Sequence, residues 1–359
     1  MAKIELIDIA HAYVPGEYAV RDINLTWEDG VASALLGPSG CGKTTLLEII
    51  SGLLKPTEGR ILLDGEDVTD RSPRERNIAQ VFQFPVVYET LTVYDNLAFP
   101  LRNRGVPKSE IKMRVDEIAE ILDLQDVLRQ NAGRLGAAEK QRISMGRGIV
   151  RSDTAAVLFD EPLTVIDPRQ KWHLRRKLKE LHHRTGFTMV YVTHDQHEAL
   201  TFAEQVTVMD TGLALQTGSP RNLHEAPQAP FVGYFIGSPG MNIFPAQIQD
   251  GAIHAGDYVM NLATLPSGNK NLQIGIRPEY VETDFTAQEG WLACTVQAVN
   301  RTGNAQIVDL KSQQLAFKTR LDVDAKIAVG QPLWANFPPQ WTLLYADGEL
   351  VSQRTERGE

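Results

Sequence analysis

Apolar and charged positions alternate over residues 3–10, with Ile4, Leu6 and Ile9 set between charges, a pattern that predicts a half-exposed strand. Asp22-Ile23-Asn24-Leu25 gives a second strand after a Pro15-Gly16 turn flanked by Tyr13 and Tyr18. Three later runs are largely apolar without alternation: Val31–Leu36, Ala155–Phe159 and Phe187–Val192. Strands buried on both faces of a parallel sheet have this composition. Between them, Leu46–Ile50 has helical spacing, Pro56–Gly59 is a turn, and Arg60–Leu63 is a strand ending at Asp64-Gly65. Asn77–Gln83 is another predicted strand. Residues 92–130 have a helical pattern, with one helix opened by Val106-Pro107 and carrying Ile111, Val115, Ile118, Ile121 and Leu122 on its apolar face. Arg169–Arg184 is a basic helix whose charges are expected to form a solvated face. Val206–Met209 and Leu213–Leu215, around Asp210-Thr211-Gly212, predict a hairpin at the sheet edge.

The pattern changes near residue 236. Gly237-Ser238-Pro239-Gly240 has the composition of a linker, and beyond it come the short apolar pieces Leu272–Ile276, Trp291–Val299, Gln306–Leu310 and Pro332–Phe337. Their spacing fits a small β-barrel. The expected architecture is an α/β nucleotide-binding domain over 1–236, with a helical subdomain at about 84–150, followed by an all-β regulatory domain over 237–359. Arg354–Glu359 is a charged tail expected to fray.

Composition narrows the function. A chain of 359 residues is long enough for two or three domains. Its net charge of −9 argues against a general nucleic-acid binder. The two cysteines, Cys41 and Cys294, make no disulfide framework and suggest a reducing compartment. The start, Met1–Glu5, is amphiphilic rather than apolar, so no signal peptide is expected, and no window approaches a membrane span. Any work at a membrane is expected from the cytoplasmic side, through another subunit.

The strongest chemical signal is Gly37-Pro38-Ser39-Gly40-Cys41-Gly42-Lys43-Thr44-Thr45, placed between a predicted strand and a predicted helix. A strand that turns through glycines into a helix N-terminus presents unpaired backbone N–H groups and a positive dipole end to phosphate. In this spacing Lys43 reaches the β- and γ-phosphates of a nucleoside triphosphate and the Thr44 hydroxyl holds Mg²⁺. The second signal is Asp160-Glu161-Pro162, ending an apolar strand. Asp160 is expected in the Mg²⁺ shell and Glu161 beside the attacking water. His194 ends a third strand and is expected to contact the γ-phosphate. A metal pair of His194 with His197 lacks a matching set of carboxylates or cysteines. Upstream, Tyr13 or Tyr18 is placed to stack on a base.

These segments together resemble the ATP-binding subunits of ABC transporters, in particular those of carbohydrate and polyol importers. The resemblance spans nearly the whole chain: the phosphate loop, Val81-Phe82-Gln83, Leu158–Pro162, Thr193-His194-Asp195-Gln196, and, toward the C-terminus, Ser238–Asn242 and Gly275–Glu279. It implies a P-loop ATPase core followed by an OB-like, TOBE-type barrel, with ATP and Mg²⁺ as cofactors. It implies that Gln83 senses nucleotide and belongs with Thr44 and Asp160 in the metal shell, that Asp167 crosses a dimer interface, and that Tyr13 holds the adenine-stacking position. Two membrane permease subunits and, indirectly, a periplasmic or lipid-anchored solute-binding protein are the implied partners, with the ATPase peripheral at the cytoplasmic face. Phe82–Tyr88, Asn96–Gly105 and Glu161–Pro168 look closest to one of the paired ATPases of bacterial glycerol importers.

The chain departs from the family where a Leu-Ser-Gly-Gly-Gln signature is expected. It has Leu135-Gly136-Ala137-Ala138-Glu139, followed by Lys140-Gln141-Arg142. A hydroxyl donor is lost, two methyls are gained, and a carboxylate stands where the family meets the other subunit's γ-phosphate; Lys140 is expected to offset part of that charge. The expectation is slow hydrolysis by a homodimer and a working heterodimer with a sister ATPase, a second copy of this chain being the other candidate partner. Two other functions fit the chain less well. A nucleotide-dependent switch outside transport is opposed by the single cassette, the acidic balance and the barrel. A nearly inactive regulatory subunit is favoured by the degenerate signature and opposed by Asp160, Glu161 and His194.

Overall fold

The computed structural model describes residues 2–261 and 271–352, so the tail Arg354–Glu359 lies outside the described residues. The chain forms two compact units, one ending at Pro220 and the other beginning at Arg221.

In the first unit the elements run β1 (Ile4–Val14), β2 (Glu17–Trp27), β3 (Ala32–Leu36), α1 (Lys43–Ser51), β4 (Glu58–Leu63), β5 (Glu66–Asp67), α2 (Pro73–Arg76) and β6 (Ala79–Val81). They continue through α3 (Val93–Arg102), α4 (Lys108–Ile121), α5 (Ala137–Ile149), β7 (Val157–Asp160), α6 (Pro168–Thr185), β8 (Met189–Thr193), α7 (Gln196–Phe202), β9 (Gln205–Asp210) and β10 (Leu213–Gly218). One sheet, ordered β2-β1-β4-β5, is antiparallel. The other, ordered β10-β9-β3-β8-β7-β6, is parallel except for the β9–β10 hairpin at its edge. Every residue of β3, β7 and β8 is buried, which is why their sequences are apolar without alternation. Apolar side chains of both sheets and of α1, among them Ile4, Trp27, Leu35, Leu46, Leu158 and Val190, share one core. That core fixes α1 beneath the strand ends that carry the chemistry.

Local departures from the sequence expectations have physical causes. The strand expected over Asn77–Gln83 shrinks to Ala79–Val81, because Asn77 closes α2 in a left-handed conformation, φ 55°. Gln83 therefore lies in the loop beyond the strand. Glu58 and Gly59, expected in a turn, already belong to β4. The face of α6 is less solvated than expected: Lys177 reaches Asp123 at 2.5 Å and Lys171 reaches Glu198 at 3.4 Å.

The second unit takes in two short helices, Pro220–Glu225 and Pro230–Phe235, ahead of the composition change near 236. Buried Arg277 holds them to it, donating from Nε to His224 O (2.7 Å) and from Nη1 to Ile236 O (2.6 Å). Gly237–Gly240, expected to link two domains, thus lies inside this unit. A six-stranded antiparallel sheet contains Asn242–Gln249 and Leu272–Ile276 at its centre, and a five-stranded sheet has Leu292–Thr302 in the middle. Their facing side chains, including Phe244, Ile274, Val296, Phe317 and Phe337, form one apolar core. This is the all-β barrel-type body the sequence predicts. No helix among the described residues is long and apolar enough to cross a membrane.

Candidate active site

The parallel order places the C-terminal ends of β3, β8 and β7 side by side, and each end delivers one part of the site. Open α/β sheets bind ligands at this edge. After β3, the chain passes through the phosphate loop into α1. Gly42 caps the helix with φ 99°, and a side chain there would put its Cβ 2.5 Å from Ala19 O. At Gly37 a Cβ would fall 2.3 Å from Met209 O. The two glycines are thus fixed by close backbone approach. Lys43, buried at the head of α1, donates to Gly37 O (2.9 Å) and Pro38 O (2.8 Å), which holds its ammonium across the mouth of the loop. Cys41 points into the core beneath, its thiol pushed up by burial.

β7 delivers the two carboxylates in different settings. Asp160 is buried, and the Thr44 hydroxyl donates to its Oδ1 at 3.3 Å. Burial, with Glu161 adding repulsion, raises the Asp160 carboxyl above the usual range, while Thr44 and Lys43 pull it down. A carboxylate in that position favours a cation next to it. Glu161 follows with φ 43°, a left-handed backbone rare for a residue of this size. Its N–H donates to Val192 O at 3.0 Å, which keeps the strained turn in register with β8. The turn aims the side chain out of the sheet edge, where Oε1 lies 3.0 Å from His194 Nδ1. His194 follows β8 directly, so its contact with Glu161 is a consequence of β7 and β8 being neighbours.

Tyr13, Ser39, Gly40, Gly42, Lys43, Thr44, Thr45, Gln83, Glu161, Thr164 and His194 line a single cavity of about 570 Å³. The tyrosines separate here. Tyr13 is largely exposed and its hydroxyl meets Thr45 Oγ1 at 3.2 Å, whereas Tyr18 donates to Glu58 Oε1 at 2.9 Å. Thr164, not anticipated from the sequence, donates to Glu161 O (3.1 Å) and lies 3.3 Å from its Oε2. Nothing in a lone threonine two residues past Pro162 marks it.

The degenerate segment and Asp167 lie outside this cavity lining. Gly136 caps α5, Ala137–Glu139 form its first turn, and Leu135 precedes the cap. Lys140, expected to offset the Glu139 charge, instead pairs with Glu89 at 2.6 Å. Asp167 caps α6, accepting from Arg169 N at 2.9 Å.

A phosphate loop, a buried carboxylate beneath it, and a glutamate–histidine pair across it define a P-loop nucleoside triphosphatase. Residues 20–164 match the ABC transporter family, residues 237–281 the MalK OB fold domain, and residues 274–344 the TOBE domain. The sn-glycerol-3-phosphate import ATP-binding protein UgpC of Pectobacterium atrosepticum is 36% identical over 98% of this chain and 99% of its own length. The oligosaccharides import ATP-binding protein MsmX of Bacillus subtilis is 37% identical over 94% of this chain and 95% of its own. Among solved structures, a dimeric ATP-binding cassette in a post-hydrolysis state, bound to ADP and Pi, superposes with a TM-score of 0.55 at 28% identity, covering 60% of this chain and 98% of that one. This chain belongs to the ATP-binding subunits of ABC transporters, in the branch that carries OB and TOBE domains, and is an ATPase.

Proposed function

We propose that this chain is the ATP-hydrolysing subunit of a bacterial ABC importer for a small polyol or sugar, acting peripherally at the cytoplasmic face of the inner membrane. The observation that carries the reading is the Glu161–His194 pair at 3.0 Å on the wall of the phosphate-loop cavity. In this reading Tyr13 stacks on the adenine, the loop amides and Lys43 cradle the phosphates, and His194 contacts the γ-phosphate. Glu161, held by Thr164, orients the attacking water. The Thr44 hydroxyl and the buried Asp160 carboxylate supply hard oxygen donors that fit Mg²⁺, with Gln83 completing the set. Mg²⁺ there would neutralise charge on the β- and γ-oxygens.

Two permease subunits are the proposed membrane partners. Phe84 is 73% exposed, and with Val86 and Tyr88 it makes an apolar stretch directly after Gln83, suited to receive a permease segment. A solute-binding protein, periplasmic or lipid-anchored, contributes indirectly. For the second ATPase we favour a sister subunit with an intact signature over another copy of this chain, because Glu139 stands in the first turn of α5. Glycerol is the favoured solute on the sequence resemblance, ahead of glycerol 3-phosphate and other carbohydrates; two relatives are named for glycerol 3-phosphate and for oligosaccharides.

The test is steady-state ATPase activity of this chain alone and with a sister ATPase and permeases, each beside Glu161→Gln, together with uptake of labelled glycerol, glycerol 3-phosphate and disaccharide. Activity that needs the assembly and is lost in Glu161→Gln supports the reading. An assembly indifferent to Glu161→Gln assigns hydrolysis to the other subunit.

A further inference from the structure

Behind His194 lies a closed ring of hydrogen bonds that the cavity itself does not reveal. The Thr193 hydroxyl donates to Glu198 Oε2 at 3.1 Å and accepts from Asp195 N at 3.0 Å. Asp195 Oδ1 accepts from His197 N (2.8 Å) and Glu198 N (3.4 Å) at the head of α7. The ring therefore encloses the backbone of His194 while leaving its imidazole half-exposed on the cavity. Glu198 is 4% exposed, an expensive place for a carboxylate unless it is paired and hydrogen-bonded. The buried Tyr191 hydroxyl donates to its Oε2 at 3.0 Å, and Lys171 Nζ stands 3.4 Å from its Oε1.

The lysine gives the ring reach. Lys171 lies in the first turn of α6, and its N–H donates to Asp167 O at 2.9 Å. Asp167 ends the segment that begins at Glu161. One buried carboxylate thus ties the turn bearing His194 to the helix that anchors the segment bearing Glu161.

We propose that Glu198 is a positioning residue for ATP hydrolysis, holding His194 in register with Glu161 through Thr193 on one side and Lys171 on the other. The inference rests on the site assignment above. A buried ion pair of this kind contributes little net stability against an apolar replacement, so its use here is geometric. Its catalytic effect runs through the placement of His194 against Glu161, so it depends on the imidazole being present.

The experiment is ATPase kinetics of the full assembly carrying Glu198→Gln, Lys171→Met, His194→Ala and the double variant Glu198→Gln/His194→Ala, with a fluorescent ATP analogue to measure binding. Glu198→Gln and Lys171→Met are each expected to lower kcat by roughly tenfold with KM for ATP and analogue affinity within about twofold, and Glu198→Gln to add nothing once His194 is alanine. The proposal is overturned if both single variants keep wild-type kcat, or if Glu198→Gln slows the His194→Ala enzyme by the same factor as the wild type. Wild-type rates in both His194→Ala and Glu161→Gln overturn the site assignment itself, a different result. Lys171→Met, at a half-buried position of α6, keeps the test alive should Glu198→Gln fail to fold.

Discussion

Glu161 Oε1 and His194 Nδ1 stand 3.0 Å apart, joined across the ends of two adjacent parallel strands. Glu161 reaches this place only through a left-handed backbone of φ 43°. Strain retained at such a position marks a function the surrounding structure is built to maintain. Glu161→Gln keeps the size and the contact to Thr164 but removes the proton acceptor. Its kcat is expected to fall by about 10²–10⁴, the usual worth of a positioned acid or base, with ATP affinity preserved. Single-turnover hydrolysis measured beside equilibrium nucleotide binding separates the two.

Asp160 carries an opposite lesson about stability. Burial is the main cause that raises its carboxyl, so the folded protein holds that proton more tightly than the unfolded chain does. Ionisation at Asp160 thus weakens the fold, and the loss sets in as pH rises from the ordinary carboxylate value of about 4 through the raised one. Asp160→Asn removes the charge while keeping an oxygen for the Thr44 hydroxyl. Without nucleotide it is expected to melt at a higher temperature than the natural chain at neutral pH, with the gap closing in acid. Mg²⁺-dependent nucleotide binding and ATPase activity are expected to be lost. Calorimetry across pH, with and without Mg²⁺ and ADP, checks both halves.

The proposed catalytic edge is legible in the sequence because its parts are local. Gly37–Thr45 announces a strand-turn-helix phosphate seat, and Asp160 and Glu161 stand at the end of an apolar run whose composition suits a buried strand. What the sequence does not carry is neighbourhood. That β7 lies beside β8, and so Glu161 beside His194, depends on strand order. Glu198 sits four residues past His194, but its links to Tyr191 and Lys171 exist only after α6 and α7 have packed. The second unit shows the same limit. Gly237–Gly240 has linker composition, yet buried Arg277 binds the helices that precede it, and no local pattern discloses contacts made from 41 and 53 residues away.

Tyr13 and Tyr18 are alike in sequence and differ in their surroundings. Tyr18 is held by Glu58, while Tyr13 stands at the cavity with an edge-on His11 beside it, ring centroids 4.8 Å apart. Tyr13→Ala is expected to weaken ATP binding by about 1–3 kcal/mol, the usual value of one base–aromatic stack, and Tyr18→Ala by much less. Tyr13→Trp should retain affinity. Titration with a fluorescent nucleotide distinguishes the three, and equal losses at both tyrosines would remove Tyr13 from the stacking role.

The α5 N-terminus yields the sharpest test of asymmetry. A Cβ built on Gly136 would lie 2.9 Å from Glu139 Oε2, so this carboxylate is folded back over the start of its own helix. An anion already occupies the positive end of the dipole, and Lys140 is turned away toward Glu89. A γ-phosphate offered to this segment by another subunit would meet repulsion in place of a hydroxyl donor. Converting Gly136→Ser, Ala137→Gly, Ala138→Gly and Glu139→Gln restores a donor, removes two methyls and discharges the carboxylate. The homodimer of this variant is expected to hydrolyse ATP about 10²–10³ faster than the homodimer of the natural chain, the scale of one aimed donor at a site of developing charge. Glu139→Gln alone should recover part of that and make the rate less sensitive to salt. A natural homodimer already as fast as the fourfold variant would mean that Glu139 does not impede the site, and the case for a sister ATPase would lose its physical basis.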